Sequence, residues 1–322
     1  MASLVSIPVF STLPTIPPSI QLLCQAIILS VFIPFVIIMS ICLTLFDIVN
    51  GIFYKEKNDT HKVILITGAS SGIGEAIALE YAKPGVILGL LGRNEDRLNK
   101  VIHQCQDKGA ECVMLKMDIS DTKALTELLE RFDDDHPIDL LFANAAQVGV
   151  TRDNSDNVEW EDAWKRLIEV NYMGNICTVM TAYKRMKQRK FVTSSIFGFF
   201  GPPNTCWYNS TKSALNSFAR DLRYIAEPYN IRVSLITPGL IDSNMTASPQ
   251  PLPFTASSLS SPNELAKVIK RQLESNIFCI AWPFSQMLLA WIGSTFPPRV
   301  LLMVSWAYGT FFQTHANNLA LT

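Results

Sequence analysis

Apolar and polar segments alternate regularly over the middle of the chain, between residues 62 and 237. Short, continuous apolar runs are typical of strands that are buried on both faces. Between them lie longer segments with an apolar residue every three or four positions, which predict helices. The predicted strands are residues 62–67, 86–92, 112–117, 138–143, 190–195 and 231–237, and the predicted helices are residues 73–83, 95–109, 121–135, 160–187 and 206–226. This alternation predicts an α/β fold of the Rossmann type, with a doubly wound parallel sheet.

The N-terminal segment has a different composition. Residues 1–46 carry no charged side chain, and residues 20–46 are almost wholly apolar. A helix needs about 20 such residues to cross a membrane. The run is too long for a signal peptide and lacks its positive n-region and cleavage site, so a membrane segment is predicted. Pro34 would bend it, and both a spanning helix and a monotopic hairpin stay open. The lysines that follow this segment place the rest of the chain in the cytoplasm by the positive-inside tendency.

The alternation ends after residue 238. Residues 247–261 are rich in serine and proline and predict a loop, and residues 263–275 predict one amphipathic helix. Residues 277–298 lack charge and are interrupted by prolines, so they fit core, an interfacial segment or the wall of an apolar pocket. The predicted organisation is a membrane anchor and hinge at residues 1–54, an α/β core at residues 55–245, and a C-terminal apolar extension of the same domain at residues 246–322.

Charge and composition narrow the function further. The formal net charge is −1, so the chain lacks the basic surface of a nucleic-acid-binding protein. The seven cysteines are scattered and form no C-x-x-C pair, which predicts reduced thiols and agrees with a cytoplasmic domain. The four histidines lack the spacing of metal ligands. Neither a nucleic acid nor a metal is therefore an expected partner.

A glycine-rich loop, T-G-A-S-S-G-I-G at residues 67–74, follows the first predicted strand and opens the first helix. Gly68 permits a tight turn, Gly72 permits close approach of the backbone to a pyrophosphate, and Gly74 permits close packing of helix on sheet. The N–H groups and the positive dipole end of the helix N-terminus favour a bound phosphate. Placed between strand and helix, the loop predicts a nucleotide site.

The spacing of this loop, G-x-x-x-G-x-G, resembles the signature of the short-chain dehydrogenase/reductase family, and the resemblance extends over residues 62–245. The resemblance implies that Tyr208 is the general acid and base. A free tyrosine has a pKa of about 10, which is too high for a base at neutral pH. Lys212 lies one helical turn later, and its ammonium would favour the phenolate. The resemblance further implies that Ser195 orients the substrate oxygen and that Asn171 holds a proton-relay water near the lysine.

The resemblance also implies a nicotinamide cofactor. Arg93 follows the second predicted strand where an acidic residue would meet a free ribose 2′-OH, and a guanidinium matches the 2′-phosphate of NADP(H) in preference to NAD(H). Asp118 matches the adenine-contacting position, Asn144 begins an N-A-A sequence where the family usually has N-A-G, and the backbone of residues 238–241 would face the nicotinamide carboxamide. The expected cofactor contacts are Gly68, Ser70, Ser71, Gly72, Ile73, Gly74, Arg93, Asp118, Asn144, Tyr208, Lys212, Pro238, Gly239 and Ile241.

These features together favour a membrane-anchored oxidoreductase that interconverts a carbonyl and a hydroxyl on a lipophilic substrate of the steroid, retinoid or keto-lipid class. The expected location is the endoplasmic reticulum or a lipid droplet, because such substrates partition into bilayers and oil. The alternative is a non-catalytic, nucleotide-binding protein that interacts with a membrane or lipid-droplet surface. A homodimer is compatible with either function. Resemblance of fold does not identify the substrate.

Overall fold

A computed structural model describes residues 61–147, 160–185, 192–193, 206–243, 259–287 and 290, together with isolated positions 30, 35, 38 and 42. The chain divides into two compact units, Met1–Phe53 and Tyr54–Thr322. Apart from the four isolated positions, the predicted membrane segment at residues 20–46 lies outside the described residues. Within the described part of the chain, no helix has both the length and the apolar character needed to cross a membrane.

The second unit alternates strands and helices as the sequence predicts. The strands in its described part are β1 (Val63–Thr67), β2 (Ile87–Gly92), β3 (Glu111–Lys116), β4 (Leu140–Phe142), β5 (Val192–Thr193), β6 (Leu235–Pro238) and β7 (Cys279–Trp282). The helices are α1 (Gly72–Tyr81), α2 (Glu95–Asp107), α3 (Thr122–Asp135), α4 (Trp160–Ile168), α5 (Asn175–Arg185), α6 (Cys206–Ala226) and α7 (Pro262–Glu274). A π-helical turn, Glu169–Gly174, joins α4 to α5, and a 3-10 turn, Glu227–Tyr229, follows α6.

The described strands form two parallel sheets. One has the order β3-β2-β1-β4 and the other the order β5-β6-β7, and β4 also contacts β5. All five residues of β1 are buried, as expected of a central strand that is covered on both faces. The strand order reverses between β1 and β4, which places a ligand crevice at the carboxyl ends of these strands. The predicted α/β fold of the Rossmann type is confirmed.

Helices cover both faces of the sheet, and successive side chains of β1 enter opposite cores. Ile64 and Ile66 pack in one cluster with residues of α1, α2 and α7. Val63 and Leu65 pack in a second cluster with residues of α3, α5 and α6. Side chains alternate between the faces of a strand, so one strand supplies both clusters. Full burial of each such Leu or Ile contributes roughly 1.5–3 kcal/mol to the free energy of unfolding.

Local sequence explains where two of the helices begin. The side chain of Asn94 accepts a hydrogen bond from the Arg97 N–H at 2.9 Å and caps the N-terminus of α2. Asp121 accepts from the Ala124 N–H at 3.1 Å and does the same for α3. A cap of this kind stabilises a helix by about 1 kcal/mol.

The prediction of six strands is incomplete, because β7 lies within the uncharged stretch at residues 277–298. It pairs with β6 in parallel, with Ile236 opposite Ile280. Ile280 is fully buried, so this part of the stretch is core. A strand that is buried on both faces has no alternating pattern, and its apolar run cannot be told from a buried helix or a pocket wall.

Residues 231–237 are a second difference, because the strand begins only at Leu235. Ile231 and Val233 are buried, but their backbone groups have other partners. The Ile231 N–H donates to the Ala226 carbonyl at 3.2 Å, and the Arg223 guanidinium donates to the Val233 carbonyl. Apolar character in this segment therefore reflects burial and not strand pairing.

Candidate active site

The glycine loop of residues 67–74 leaves the carboxyl end of β1 and enters α1. Gly68 has a φ of +67°, a conformation that suits glycine, and the chain turns there. A Cβ atom at Gly74 would overlap the Gly68 carbonyl oxygen and lie 2.8 Å from Nδ2 of Asn144. Ser71 makes no side-chain cap to α1, so the N–H groups of the first turn keep their capacity for an anion. This narrow cradle fits a pyrophosphate.

Asn144 joins the carboxyl ends of β1 and β4 beside the glycine loop. Its backbone N–H donates to Oγ1 of Thr67 at 3.0 Å, and its Nδ2 donates to the Thr67 carbonyl at 3.1 Å. The Thr67 hydroxyl donates to the Phe142 carbonyl at 3.3 Å. Thr67 is fully buried and Asn144 is half-buried, so this arrangement is largely shielded from water. Asn144 thus fixes the strand ends, and its contact with a ribose stays a prediction.

Arg93 and Asp118 lie after β2 and β3, at the end of the site where the adenosine is expected. Nη1 of Arg93 is 3.5 Å from Oδ2 of Asp118, and the Gln147 amide oxygen, turned toward the guanidinium, accepts from it at 2.6 and 2.7 Å. Asp118 has a closer partner in Arg166. Burial opposes ionisation of Asp118, but hydrogen bonds from Ser120 and Arg166 prevail and lower its pKa. Because Arg166 is the closer partner of Asp118, this carboxylate does not fully offset the charge of Arg93.

Tyr208 and Lys212 lie one turn apart on α6, and both side chains are buried. Nζ of Lys212 lies 5.6 Å from the centroid of the Tyr208 ring. Burial lowers the pKa of Lys212 to about 8, because the ammonium has lost most of its hydration. The two side chains that the sequence predicts to act together are therefore brought together, with the ammonium near the aromatic ring.

Asn171 lies in the π-helical turn between α4 and α5, a type of turn that is frequent at functional sites. Its Oδ1 accepts the Gln147 N–H and its Nδ2 donates to the Gln147 carbonyl, both at 2.7 Å. Nδ2 also lies 3.4 Å from Oγ1 of Thr211, which donates to the Tyr208 carbonyl at 2.7 Å. The side chain of Asn171 thus connects the segment after β4 with α6. Its predicted role in holding a water stays a prediction.

Asn175, one turn after Asn171, extends this network. Its Nδ2 donates to the carbonyls of Ala145 at 2.9 Å and Asn171 at 3.0 Å. Its Oδ1 is buried and has no hydrogen-bond partner among the described residues. A buried acceptor of this kind suits a water molecule. Asn175 was not predicted from the sequence, although its spacing of four residues from Asn171 is a signal that could have indicated it.

The segment after β6 returns to the glycine loop. Pro238 ends β6, and the buried Ile241 pairs with Ser260 in an isolated parallel bridge. A Cβ atom at Gly72 would lie 3.2 Å from Cβ of Ser243. The turn at residues 238–241 and the glycine loop therefore meet at the carboxyl ends of the strands, where open α/β sheets bind their ligands.

The structure describes most of the predicted site, but its roles stay predictions. Ser195 lies outside the described residues. The remaining expected cofactor contacts follow the ends of β1, β2, β3, β4 and β6 or lie on α6, namely Gly68, Ser70, Ser71, Gly72, Ile73, Gly74, Arg93, Asp118, Asn144, Tyr208, Lys212, Pro238, Gly239 and Ile241. Three further residues were not predicted from the sequence: Gln147 contacts Arg93, Arg166 pairs with Asp118, and Thr211 joins Asn171 to α6.

The chain is similar to known proteins over more than half of its length. The sequence pattern of the short chain dehydrogenase family matches residues 62–251. An 11-beta-hydroxysteroid dehydrogenase A from Sesamum indicum is 33% identical over 193 residues, which are 58% of this chain and 54% of the sesame protein. The match therefore spans about half the length of that relative.

Two solved structures share the fold. One is an alcohol dehydrogenase from the archaeon Thermococcus sibiricus, complexed with 5-hydroxy-NADP. Its TM-score is 0.59 at 28% identity, and the match covers 68% of this chain and 95% of the archaeal chain. A short chain dehydrogenase/reductase from Burkholderia phymatum, in complex with NAD, has a TM-score of 0.62 at 21% identity and covers 71% of this chain and 92% of its own. Likeness of fold is thus compatible with either cofactor, and the choice depends on the site itself.

Proposed function

The chain belongs to the short-chain dehydrogenase family, oxidoreductases that act on CH–OH and C=O groups, and we propose that it interconverts a carbonyl and a hydroxyl on a lipophilic substrate with NADP(H). The observation that carries the proposal is the approach of the buried Lys212 ammonium to the Tyr208 ring, at 5.6 Å from its centroid. Buried ammonium groups are costly, and they are typically retained where they tune a neighbouring group.

In this proposal Tyr208 is the general acid and base. The glycine loop, Arg93 and the turn at residues 238–241 would hold NADP(H), which when bound would supply or accept the hydride. In reduction the Tyr208 hydroxyl donates its proton to the carbonyl oxygen, and in oxidation the phenolate takes the alcohol proton. Lys212 stabilises the phenolate by its charge, and since its pKa is about 8 it is mostly protonated at pH 7. Ser195 orients the substrate oxygen, and Asn171 positions α6 and a relay water.

The proposed substrate is a steroid, a retinoid or a long-chain keto-lipid. The name of the sesame relative supports the steroid class, and the proposed membrane attachment and the apolar tail at residues 277–312 support an apolar substrate in general. Incubation of the full-length protein with NADPH and a panel of hydrophobic ketones, and with NADP⁺ and the matching alcohols, tests this class. Turnover restricted to small polar ketones would contradict it.

The cofactor preference is proposed from Arg93. Replacement of Arg93 by alanine is expected to weaken NADPH binding by roughly 10- to 100-fold, the range of a lost charge-assisted hydrogen-bond pair, and to leave NADH binding unchanged. Titration of both cofactors by intrinsic fluorescence measures the two affinities. Arg131→Ala, which removes an exposed arginine on α3, is the matched control. An NADPH/NADH affinity ratio that is near one in the wild type and unchanged in Arg93→Ala would defeat the preference.

Membrane attachment is the proposed location, with the catalytic domain facing the cytoplasm at the endoplasmic reticulum or a lipid droplet. The support is the absence of charge from residues 1–46 and the apolar run at residues 20–46. A lipophilic substrate is concentrated in such membranes, so attachment would bring the active site to it.

Deletion of residues 1–54 is expected to move the protein from the membrane pellet to the supernatant, because the apolar run is then absent. Sedimentation after carbonate extraction measures the distribution. Deletion of residues 1–19 alone keeps the run at residues 20–46 and should leave the protein in the pellet. If the longer deletion still pellets, attachment is through the C-terminal residues 277–312.

A further inference from the structure

Two later segments of the chain hold the turn at residues 238–241. The Gly239 N–H donates to the Trp282 carbonyl at 2.9 Å, and the Ser260 N–H donates to the Leu240 carbonyl at 2.9 Å. Both segments lie beyond the last residue that matches the family pattern. The conformation of this turn therefore depends on a part of the chain that the family pattern does not specify.

Gln286 adds a side-chain contact to this arrangement. Its Oε1 accepts the N–H of Leu240 at 2.8 Å. Its own backbone N–H donates to the Pro283 carbonyl at 3.1 Å, which fixes the residue directly after β7. A Cβ atom at Gly239 would overlap Oε1 of Gln286 and lie 3.0 Å from its Cδ. The amide can therefore reach the turn only because residue 239 has no side chain.

We propose that Gln286 is a positioning residue for the nicotinamide end of the cofactor. The inference rests on the proposed function, in which the backbone of residues 238–241 faces the nicotinamide carboxamide. By accepting the Leu240 N–H, Gln286 fixes the peptide between Gly239 and Leu240, and with it the direction of the neighbouring backbone groups. Without this acceptor the half-buried N–H would lose its partner, and the peptide would rotate to regain one.

In this proposal Gln286 acts on the nicotinamide half of the cofactor site. The glycine loop and Arg93 follow β1 and β2, whereas the turn at residues 238–241 follows β6 in the other described sheet. Ligands that carry only the adenosine half depend on the glycine loop and Arg93. Ligands that carry the nicotinamide depend also on the turn at residues 238–241, and hydride transfer depends on the placement of the nicotinamide ring.

The experiment compares two ligands on the full-length protein. NADPH carries the nicotinamide, and adenosine 2′,5′-bisphosphate lacks it, so calorimetric titration of both separates the two halves of the site. Gln286→Met, which keeps the length of the side chain and removes the acceptor, is expected to weaken NADPH binding roughly tenfold, because a turn that adopts the binding conformation only a tenth of the time binds that much more weakly. Binding of adenosine 2′,5′-bisphosphate is expected to stay unchanged.

Two further variants and a control make the test specific. Gln286→Glu keeps an oxygen at Oε1 and is expected to restore NADPH affinity to within about threefold of the wild type. Gly239→Ala displaces the amide and is expected to reproduce the selective loss, so it also serves if Gln286→Met folds poorly. Gln104→Met makes the same change at an exposed position on α2 and is expected to have no effect.

Each outcome decides the inference. Selective loss of NADPH affinity in Gln286→Met, with rescue by Gln286→Glu, supports the positioning role. Equal loss for both ligands, or no loss for either in Gln286→Met, overturns it while the proposed function stands. A wild-type protein that binds neither ligand overturns the proposed function first and the inference with it.

Discussion

Replacement of Tyr208 by phenylalanine is expected to lower turnover by roughly 10²- to 10⁴-fold, the contribution of a positioned general acid or base, while NADPH affinity stays unchanged. The substitution removes one oxygen and keeps the ring, which is buried against Lys212. Packing of α6 is therefore preserved, and only the proton donor is lost. Single-turnover oxidation of NADPH with a saturating ketone measures the chemical step, and a cofactor titration measures binding.

The control for this variant is on the same helix. Tyr224 is 72% exposed near the C-terminus of α6, so Tyr224→Phe removes a hydroxyl that solvent already surrounds and is expected to leave turnover unchanged. Undiminished turnover in Tyr208→Phe would place the proton donor elsewhere. A variant that binds NADPH, has no turnover and keeps its biological activity would favour the non-catalytic interaction protein.

The central fold is readable from the sequence because burial on both faces of a parallel sheet leaves apolar runs, and amphipathic helices leave a period near 3.6. The same physics explains where the reading fails. β7 is a short run inside a longer uncharged stretch, and nothing in its composition marks where pairing begins. At residues 231–234 the apolar pattern records burial, and the Ile231 N–H and the Val233 carbonyl bond to residues of α6.

The candidate site is predictable to the extent that its residues follow strand ends in sequence order. Gly68, Arg93 and Asn144 are found in this way, because each follows an apolar run directly. Their partners come from remote parts of the chain: Gln286 is 46 residues from Leu240, and Gln147 is 24 residues from Asn171. Such contacts depend on how the elements pack, which no local pattern encodes.

Burial of Lys212 has a consequence for stability as well as for chemistry. Its pKa falls from 10.5 to about 8 because the folded protein desolvates the ammonium. At about 1.4 kcal/mol for each pKa unit, the protonated side chain destabilises the folded state by roughly 3 kcal/mol at neutral pH. Lys212→Met removes this charge with little change in volume. Its free energy of unfolding is therefore expected to exceed that of the wild type by up to this amount. Turnover is expected to fall roughly 10²-fold or more, because the phenolate loses its ammonium neighbour.

The pH dependence distinguishes this cause from a packing effect. A folded pKa below the unfolded one means that the unfolded chain binds more protons between pH 8 and 10.5, so stability of the wild type rises with pH in that window. The advantage of Lys212→Met is therefore expected to be complete below pH 8 and to vanish by about pH 10.5. Denaturant unfolding at pH 7, 9 and 10.5 measures it, with Lys184→Met on the exposed face of α5 as the matched control. The hypothesis is that the buried Lys212 ammonium costs stability and is retained for its effect on Tyr208. A Lys212→Met protein that is less stable than the wild type at pH 7, or equally active, would contradict it.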